Sequence, residues 1–384
     1  MLFKLTDEQK MIQNMVREFS RKVIAPTAAE RDRTKEFPAG NFKQMGELGL
    51  MGMMVPEAYG GESADTVSYV LALSEIAYSC ASTSVVMSVQ NSIVCESLNN
   101  FGTKEQKEQF LTPLASGKMI GAFGLTEPDA GSDPVSQATT AVKDKDHYVI
   151  NGTKRFITSG KHAKVVLITA KTDPDAGHKG ISCFIVPKDT KGLIVGHEED
   201  KMGLRASDTT DLIFEDCRVP ASLRLGNEGD GFKIAMSGLD SGRIGISAQS
   251  IGVAQAAFDA AVAYASQRRQ FGVPVTKHQA IRFQIADMAT QIEAARQLMF
   301  SAASMKDRKE PYTKEASMAK LFASEMVNEV TARAIQMHGG YGFTKDYVVE
   351  RLYRDARVFT IYEGTSEIQR IVISNNILKD KRKP

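Results

Sequence analysis

The sequence predicts a mainly α fold with a β-barrel in its middle: a helical N-terminal domain, an antiparallel β-barrel and a C-terminal four-helix bundle. Three observations carry this over the 384 residues. Apolar residues recur at helical spacing from Thr6 to about Lys118, and the period shortens to strand-like alternation from Met119 to about Gly231. Four long helical stretches follow from Phe232. The implied domains are 1–118, 119–231 and 232–384.

In the first region a Thr6-to-Gln9 capping-box signature precedes Ile12, Met15, Val16, Phe19 and Val23, and Pro56, Gly60 and Gly61 interrupt the pattern. In the second, His147 to Ile150 and Lys154 to Ile157 flank Asn151-Gly152, a two-residue hairpin signal. Val165 to Thr169, Ile181 to Val186 and Leu212 to Phe214 add strands whose spacing suits a small barrel or sandwich. In the third, helices are expected over roughly 233–268, 277–306 and 313–338, then from Thr365, joined by short connections as in a bundle.

Composition excludes several functions. A net charge of +2 gives no electrostatic case for nucleic acid, and the basic tail Lys379 to Lys383 reads as a solvated terminus. No apolar run reaches the roughly 18–20 residues that cross a bilayer. Met1 to Asp7 runs into a helix without signal or transit features, so a cytoplasmic location is expected. Cys80, Cys95, Cys183 and Cys217 form no C-x-x-C pair, and the six histidines form no H-x-x-x-H or H-E-x-x-H motif; no protein-ligated metal is expected.

Three motifs point to chemistry. Ile361-Tyr362-Glu363-Gly364-Thr365-Ser366-Glu367-Ile368-Gln369-Arg370 sets a carboxylate beside a glycine ahead of a helix start, with Ser366 and Gln369 at capping-box spacing. Glu363 is either a general base on a loop open to another molecule or a glutamate favoured by a helix N-terminus. Gly124-Leu125-Thr126-Glu127-Pro128-Asp129-Ala130-Gly131-Ser132-Asp133 gathers turn formers and hydroxyls able to meet a polar ligand, or is an ordinary interdomain loop. Gln336-Met337-His338-Gly339-Gly340-Tyr341-Gly342-Phe343 ends a helix on glycines, and His338 by itself reads as a packed or solvated histidine.

Together, in this order, the motifs resemble the acyl-CoA dehydrogenase family over essentially all 384 residues, especially its short-chain and butyryl-type branch. The resemblance implies one FAD per subunit, a homotetramer, and an acyl-CoA thioester between flavin and base. Glu363 would remove the α-proton, its own N–H would face the thioester carbonyl, and flavin N5 would take the β-hydride, since no side chain can accept one. Such a base needs desolvation to raise its pKa and donors to stabilise the enolate oxygen.

By the same resemblance Phe123, Leu125, Thr126, Gly131, Ser132, Phe156 and Thr158 hold the flavin and its phosphate arm. Tryptophan is frequent in relatives where this chain has Phe156. Arg268, Gln270, Phe271, Gln336, Gly339 and Gly340 reach the FAD of a neighbouring subunit, and Thr365 and Glu367 complete the cofactor set. Ser132, Asp240, Arg243, Tyr362 and Gly364 match substrate positions. In isovaleryl-type relatives the base comes from the position of Gly242, which here has no side chain.

The helix Ser84 to Glu96 would wall the acyl pocket with Val85, Val86, Val89 and Ile93. Ser84 stands where glutaryl-type relatives carry an arginine, which argues against a dicarboxylic acyl group. Gln90, Asn91 and Glu96 read as solvent-facing, with admission of a branched or cyclic acyl group as the other reading. The family implies electron-transferring flavoprotein as acceptor. An oxidase using O2 and a non-catalytic flavin-bearing protein of the same fold are the alternatives.

Overall fold

A computed structural model describes residues 4–380. Lys381 to Lys383 of the expected basic tail, and Met1 to Phe3, lie outside the described residues.

The N-terminal region is helical: α1 (Asp7–Phe19), α2 (Ala25–Thr34), α3 (Ala39–Glu47), α4 (Thr66–Ser79), α5 (Ala81–Ser88), α6 (Glu96–Phe101), α7 (Lys104–Gln106) and α8 (Thr112–Ala115). The capping box forms as expected, with Gln9 N donating to Thr6 Oγ1 (3.1 Å) and Thr6 N to Gln9 Oε1 (3.0 Å). Between α5 and α6 the chain is wound as a π-helix over Val89–Cys95.

Gln90 and Asn91 correct the expectation of solvent-facing residues, for both are buried. Gln90 donates to Leu114 O and Met119 O and accepts from Gly121 N; Asn91 donates to Leu50 O and Met87 O and accepts from Met53 N. Both amides therefore serve as fasteners for loops that have no regular backbone partners. Glu96 is also largely enclosed, bound to Lys306 and Ser241.

The middle region contains β1 (Gly121–Gly124), β2 (Thr140–Asp144), β3 (His147–Thr158), β4 (Val165–Lys171), β5 (Ile181–Pro187), β6 (Leu193–Glu198), β7 (Thr209–Pro220) and β8 (Arg224–Leu225). The strand order β6-β7-β3-β2-β4-β5-β8 leaves β6 and β8 unpaired with each other, so the expected closed barrel is an open, curled sheet. Nor is it wholly antiparallel, because β1 runs parallel to β4. The sheet folds round one interior containing Tyr148, Ile150, Val166, Ile168, Phe184 and Phe214, while Val165, Leu167 and Ile185 pack on the other face against Leu98, Phe110 and Leu114. β4 is a continuous apolar run because both its faces are covered.

The hairpin expected at Asn151-Gly152 is also corrected. β3 runs straight through these residues, and the tight turn lies at Lys145-Asp146, with Lys145 at φ +57°. Gly152 (φ +145°) instead marks a bulge against β7, where a β-carbon would strike Thr139.

Beyond the sheet come α9 (Gly231–Gln267), a short pair β9 (Arg269–Gln270) and β10 (Val273–Pro274), then α10 (Gln279–Asp307), α11 (Thr313–His338), α12 (Val349–Ala356) and α13 (Ser366–Asp380). Helices α9, α10, α11 and α13 form the bundle, and α12 was not foreseen in the sequence. α4 packs on α9 so closely that the N-terminal helices and the bundle share one core, with Val16, Met45 and Tyr69 joining Ile244, Met299 and Val327.

Within the sheet a buried ion pair anchors the loop after β1. Lys154 is fully enclosed and donates to Glu127 Oε1 (2.6 Å), Gln137 Oε1 (2.9 Å) and Leu125 O (3.1 Å), and Glu127 also accepts from Ala138 N and Thr139 N. Burial pushes Glu127 up, but Lys154 and these donors outweigh it and hold the carboxyl low. Burial takes Lys154 down to about 8. Replacing Lys154 by Met strands a buried carboxylate and is expected to cost about 3–5 kcal/mol in denaturant unfolding; Lys154→Met with Glu127→Leu should recover most of that loss.

Candidate active site

Glu363 sits in the connection between α12 and α13, at φ +50°, followed by Gly364 at φ +87°. Two successive left-handed residues, one of them not glycine, make a strained turn of a kind that concentrates at functional sites. The turn is tied from two sides. Gln369 Nε2 donates to Glu363 O (3.1 Å) and Gly364 O (2.9 Å), and Lys320 Nζ donates to Gly364 O (2.7 Å). Here the sequence reading shifts by one residue: the cap of α13 is Thr365, whose Oγ1 accepts from Ile368 N (3.3 Å), and Gln369 clamps the turn instead of completing a box with Ser366. Among the described residues nothing accepts the N–H of Glu363.

The Glu363 carboxylate reaches α9. A β-carbon built on Gly242 would lie 2.9 Å from Glu363 Cδ and collide with Oε2. Positions 242 and 363 thus converge on one point, and only one of them can carry a side chain there. Oε2 is buried without a partner, and burial pushes the carboxyl up to about 7 against the pull of Lys320 and Arg243.

Asp240 and Arg243 flank this point on α9. Arg243 is buried and paired with Asp240 (2.5 Å), which also accepts from Thr313 Oγ1 (2.6 Å); Arg243 Nε has no partner. Tyr362 hydrogen-bonds Gln249 Oε1 (2.5 Å), and Gln249 in turn donates to Ser84 Oγ (2.8 Å) and Ala81 O (2.9 Å). The Glu363 turn is thereby coupled to α5, the helix expected to wall an acyl pocket. Next to Gly242, Ser241 donates to Glu96 Oε2 (2.6 Å), and Lys306 Nζ binds the same oxygen (2.5 Å).

A second cluster lies where β1 and β3 end. Phe123 lies in β1, one residue before its end, and the loop from Leu125 through Thr126 to Gly131 and Ser132 is strapped to β3 by Arg155 N donating to Thr126 O (2.8 Å) and by the Lys154–Glu127 pair. Phe156 adopts φ +59° at a register shift between β3 and β7, which turns its ring outward to 57 % exposure. A large aromatic is presented by a strained bulge next to an open loop, with Thr158 two residues on. Phe156 is therefore not the barrel-core residue its strand position could suggest.

A third cluster surrounds a cleft of about 510 Å³ between the end of α9 and the end of α11, lined among others by Arg268, Gln270, Gln336, Gly339, Gly340 and Tyr341. Phe271 is 93 % exposed beside it, and open space surrounds Gly339 and Gly340. His338 is packed, stacked on Tyr264 at 4.4 Å. The Thr365 hydroxyl accepts its capping bond and keeps its O–H as a donor, and Glu367 is exposed in the first turn of α13. Lys320, Gln249, the Lys154–Glu127 pair and the clamping role of Gln369 were not anticipated. Lys320 did leave a signal, a lysine set among Ala316, Ala319 and Ala323 on a helix face otherwise wholly buried.

Three family models divide the chain between them: acyl-CoA dehydrogenase N-terminal domain at residues 6–118, middle domain at 122–217 and C-terminal domain at 229–378. The chain belongs to the acyl-CoA dehydrogenase family, whose members are FAD-dependent flavoprotein oxidoreductases. It is 51 % identical over 379 residues to the mitochondrial short-chain specific acyl-CoA dehydrogenase of Bos taurus, covering 99 % of this chain and 92 % of the relative. The structure of butyryl-CoA dehydrogenase from Megasphaera elsdenii superposes with a TM-score of 0.96 at 44 % identity, covering 98 % and 100 % of the two chains. A chain from a structure described as the electron transferring flavoprotein of Acidaminococcus fermentans gives 0.98 at 48 %, covering 99 % and 100 %. Among the described residues no helix is long and apolar enough to cross a membrane.

The residues present fit a flavin. The exposed Phe156 ring, the open space at Gly131, and the arginine- and glycine-lined cleft supply an aromatic cover, a close approach and a pyrophosphate partner. Gly242→Ala should displace the Glu363 carboxylate and lower acyl-CoA turnover on the order of 100-fold, the penalty of a small misplacement at a reacting centre; circular dichroism and FAD content should stay unchanged.

Proposed function

We propose that this protein dehydrogenates a short-chain acyl-CoA at the α,β position to the 2-enoyl-CoA, with Glu363 as the base. The observation that carries this reading is the buried, unpartnered Glu363 Oε2 set against Gly242. A carboxylate desolvated to a pKa near 7 is matched to proton abstraction at neutral pH, where an ordinary glutamate is too weak a base. The free Glu363 N–H, on the same strained turn, is available to the thioester oxygen as enolate charge develops. Arg243 and Asp240 line the approach for the pantetheine, with Tyr362 and Gly364 beside them.

FAD, when bound, supplies the acceptor for the β-hydride. Thr126, Ser132, Phe156 and Thr158, with Phe123, Leu125 and Gly131, would hold its ring and phosphate arm. The pyrophosphate and adenosine would reach Arg268, Gln270, Phe271, Gln336, Gly339 and Gly340 of a neighbouring copy, so that cofactor retention and a homotetramer are linked. An electron-transferring flavoprotein is the acceptor that fits, and cytoplasmic metabolism the setting.

The valine and isoleucine side chains of 85–93 suit an uncharged acyl chain, and Ser84, with no arginine beside it on α5, offers nothing to a distal carboxylate. Gln90 and Asn91 spend their amides on backbone partners, which removes the reason to expect a branched or cyclic group.

Butyryl-CoA should bleach the flavin absorbance anaerobically faster than branched, cyclic or dicarboxylic thioesters. Glu363→Gln should keep FAD and abolish bleaching; bleaching at the normal rate in that variant would overturn the assignment. Because the carboxylate form is required, the bleaching rate should rise with pH through about 7 and fall below it. Colour returning rapidly in air without a partner protein would instead identify an oxidase.

A further inference from the structure

We propose that Lys320 is a positioning residue for the base: its enclosed ammonium pins the Gly364 carbonyl, holds the left-handed turn that presents Glu363, and places a positive charge behind that turn. This rests on the reading of Glu363 as the base.

Lys320 is fully buried on α11, with Ala316, Ala319, Ala323 and Val327 around it, equally enclosed. A desolvated ammonium at such a place is expensive unless it is matched. Among the described residues Lys320 forms no salt bridge, and its hydrogen bond goes to Gly364 O at 2.7 Å. Burial takes Lys320 down to about 8, and among the carboxylates that oppose this Glu363 acts most strongly, ahead of Glu367 and Glu325.

The groups facing Glu363 are few. Arg243 comes from α9, but Asp240 at 2.5 Å already matches its charge. Tyr69 from α4 is a buried phenol and Tyr362, from the same connection, a half-buried one; burial pushes both up, so both are neutral. Lys320 from α11 is the cation left without a carboxylate of its own. The turn needs mechanical help too. Glu363 and Gly364 are both left-handed, and their carbonyls are held by Gln369 and Lys320 together.

Two substitutions separate charge from geometry. Lys320→Gln keeps a donor for Gly364 O and removes the charge. Gln369→Leu removes the neutral clamp and leaves the charge. The Glu363 titration can be followed without turnover by its carboxyl infrared band, identified by subtraction of Glu363→Gln, and in parallel by the acid limb of anaerobic bleaching. Removing a nearby positive charge disfavours the carboxylate, so Lys320→Gln should move both midpoints up by about one pH unit, roughly a tenfold lower rate on the limb. Gln369→Leu should slow bleaching with the midpoint unmoved.

An unshifted midpoint in Lys320→Gln, or an equal shift in Gln369→Leu, would overturn the proposal. Lys320→Met serves as the charge-free variant if Lys320→Gln does not fold. The two readings fail separately. Normal bleaching by Glu363→Gln removes the base itself, whereas loss of bleaching there with a normal limb in Lys320→Gln removes only the role of Lys320.

Discussion

The contact between the Glu363 carboxylate and the bare backbone of Gly242 organises the site. It requires a glycine on α9, because any β-carbon there would take the volume the carboxylate fills. It requires the strained turn at Glu363–Gly364, because an ordinary helical entry would not bring the side chain to α9. Once the carboxylate lies there its Oε2 is cut off from solvent, and burial raises its proton affinity toward neutrality without any acidic neighbour. Chemistry and architecture thus depend on one close approach.

Holding that approach is the work of groups remote in sequence. Lys320 and Gln369 fasten the turn from the bundle, and Tyr362 and Gln249 connect it to α5. On the sheet the same solution recurs, since Lys154 and Glu127 bind an irregular loop to β3 beside the exposed Phe156. Buried ion pairs are poor sources of net stability, but removing one partner is severely penalised, so they specify loop geometry well. Gln90 and Asn91 do this without charge, each satisfying three backbone groups of neighbouring segments.

The order of helical region, sheet and bundle was legible because periodicity is a local property, and long helices such as α9 and α11 carry it over many turns. The candidate base stood out for a different reason: Glu363, Gly364 and the following helix start are contiguous, and Gly242 has no side chain to compete with it. Local signals misled where two of them competed. Asn151-Gly152 has the composition of a turn, but pairing with both β2 and β7 draws it into one strand, and Lys145-Asp146 turns instead. Thr365 and Ser366 can both cap, and the left-handed Gly364 before them leaves Thr365 at the position where its hydroxyl meets Ile368 N.

By itself the sequence determined the element order and the family motifs, and it singled out Glu363 as the candidate base, since each rests on residues near one another in the chain. Only the tertiary structure decided that the sheet stays open, that Gln90 and Asn91 are fasteners, that Phe156 faces outward, and that Lys320 stands behind the turn at Glu363. Those outcomes depend on which distant backbone groups lack partners and on how burial reweights a charge, and neither exists until the chain has folded.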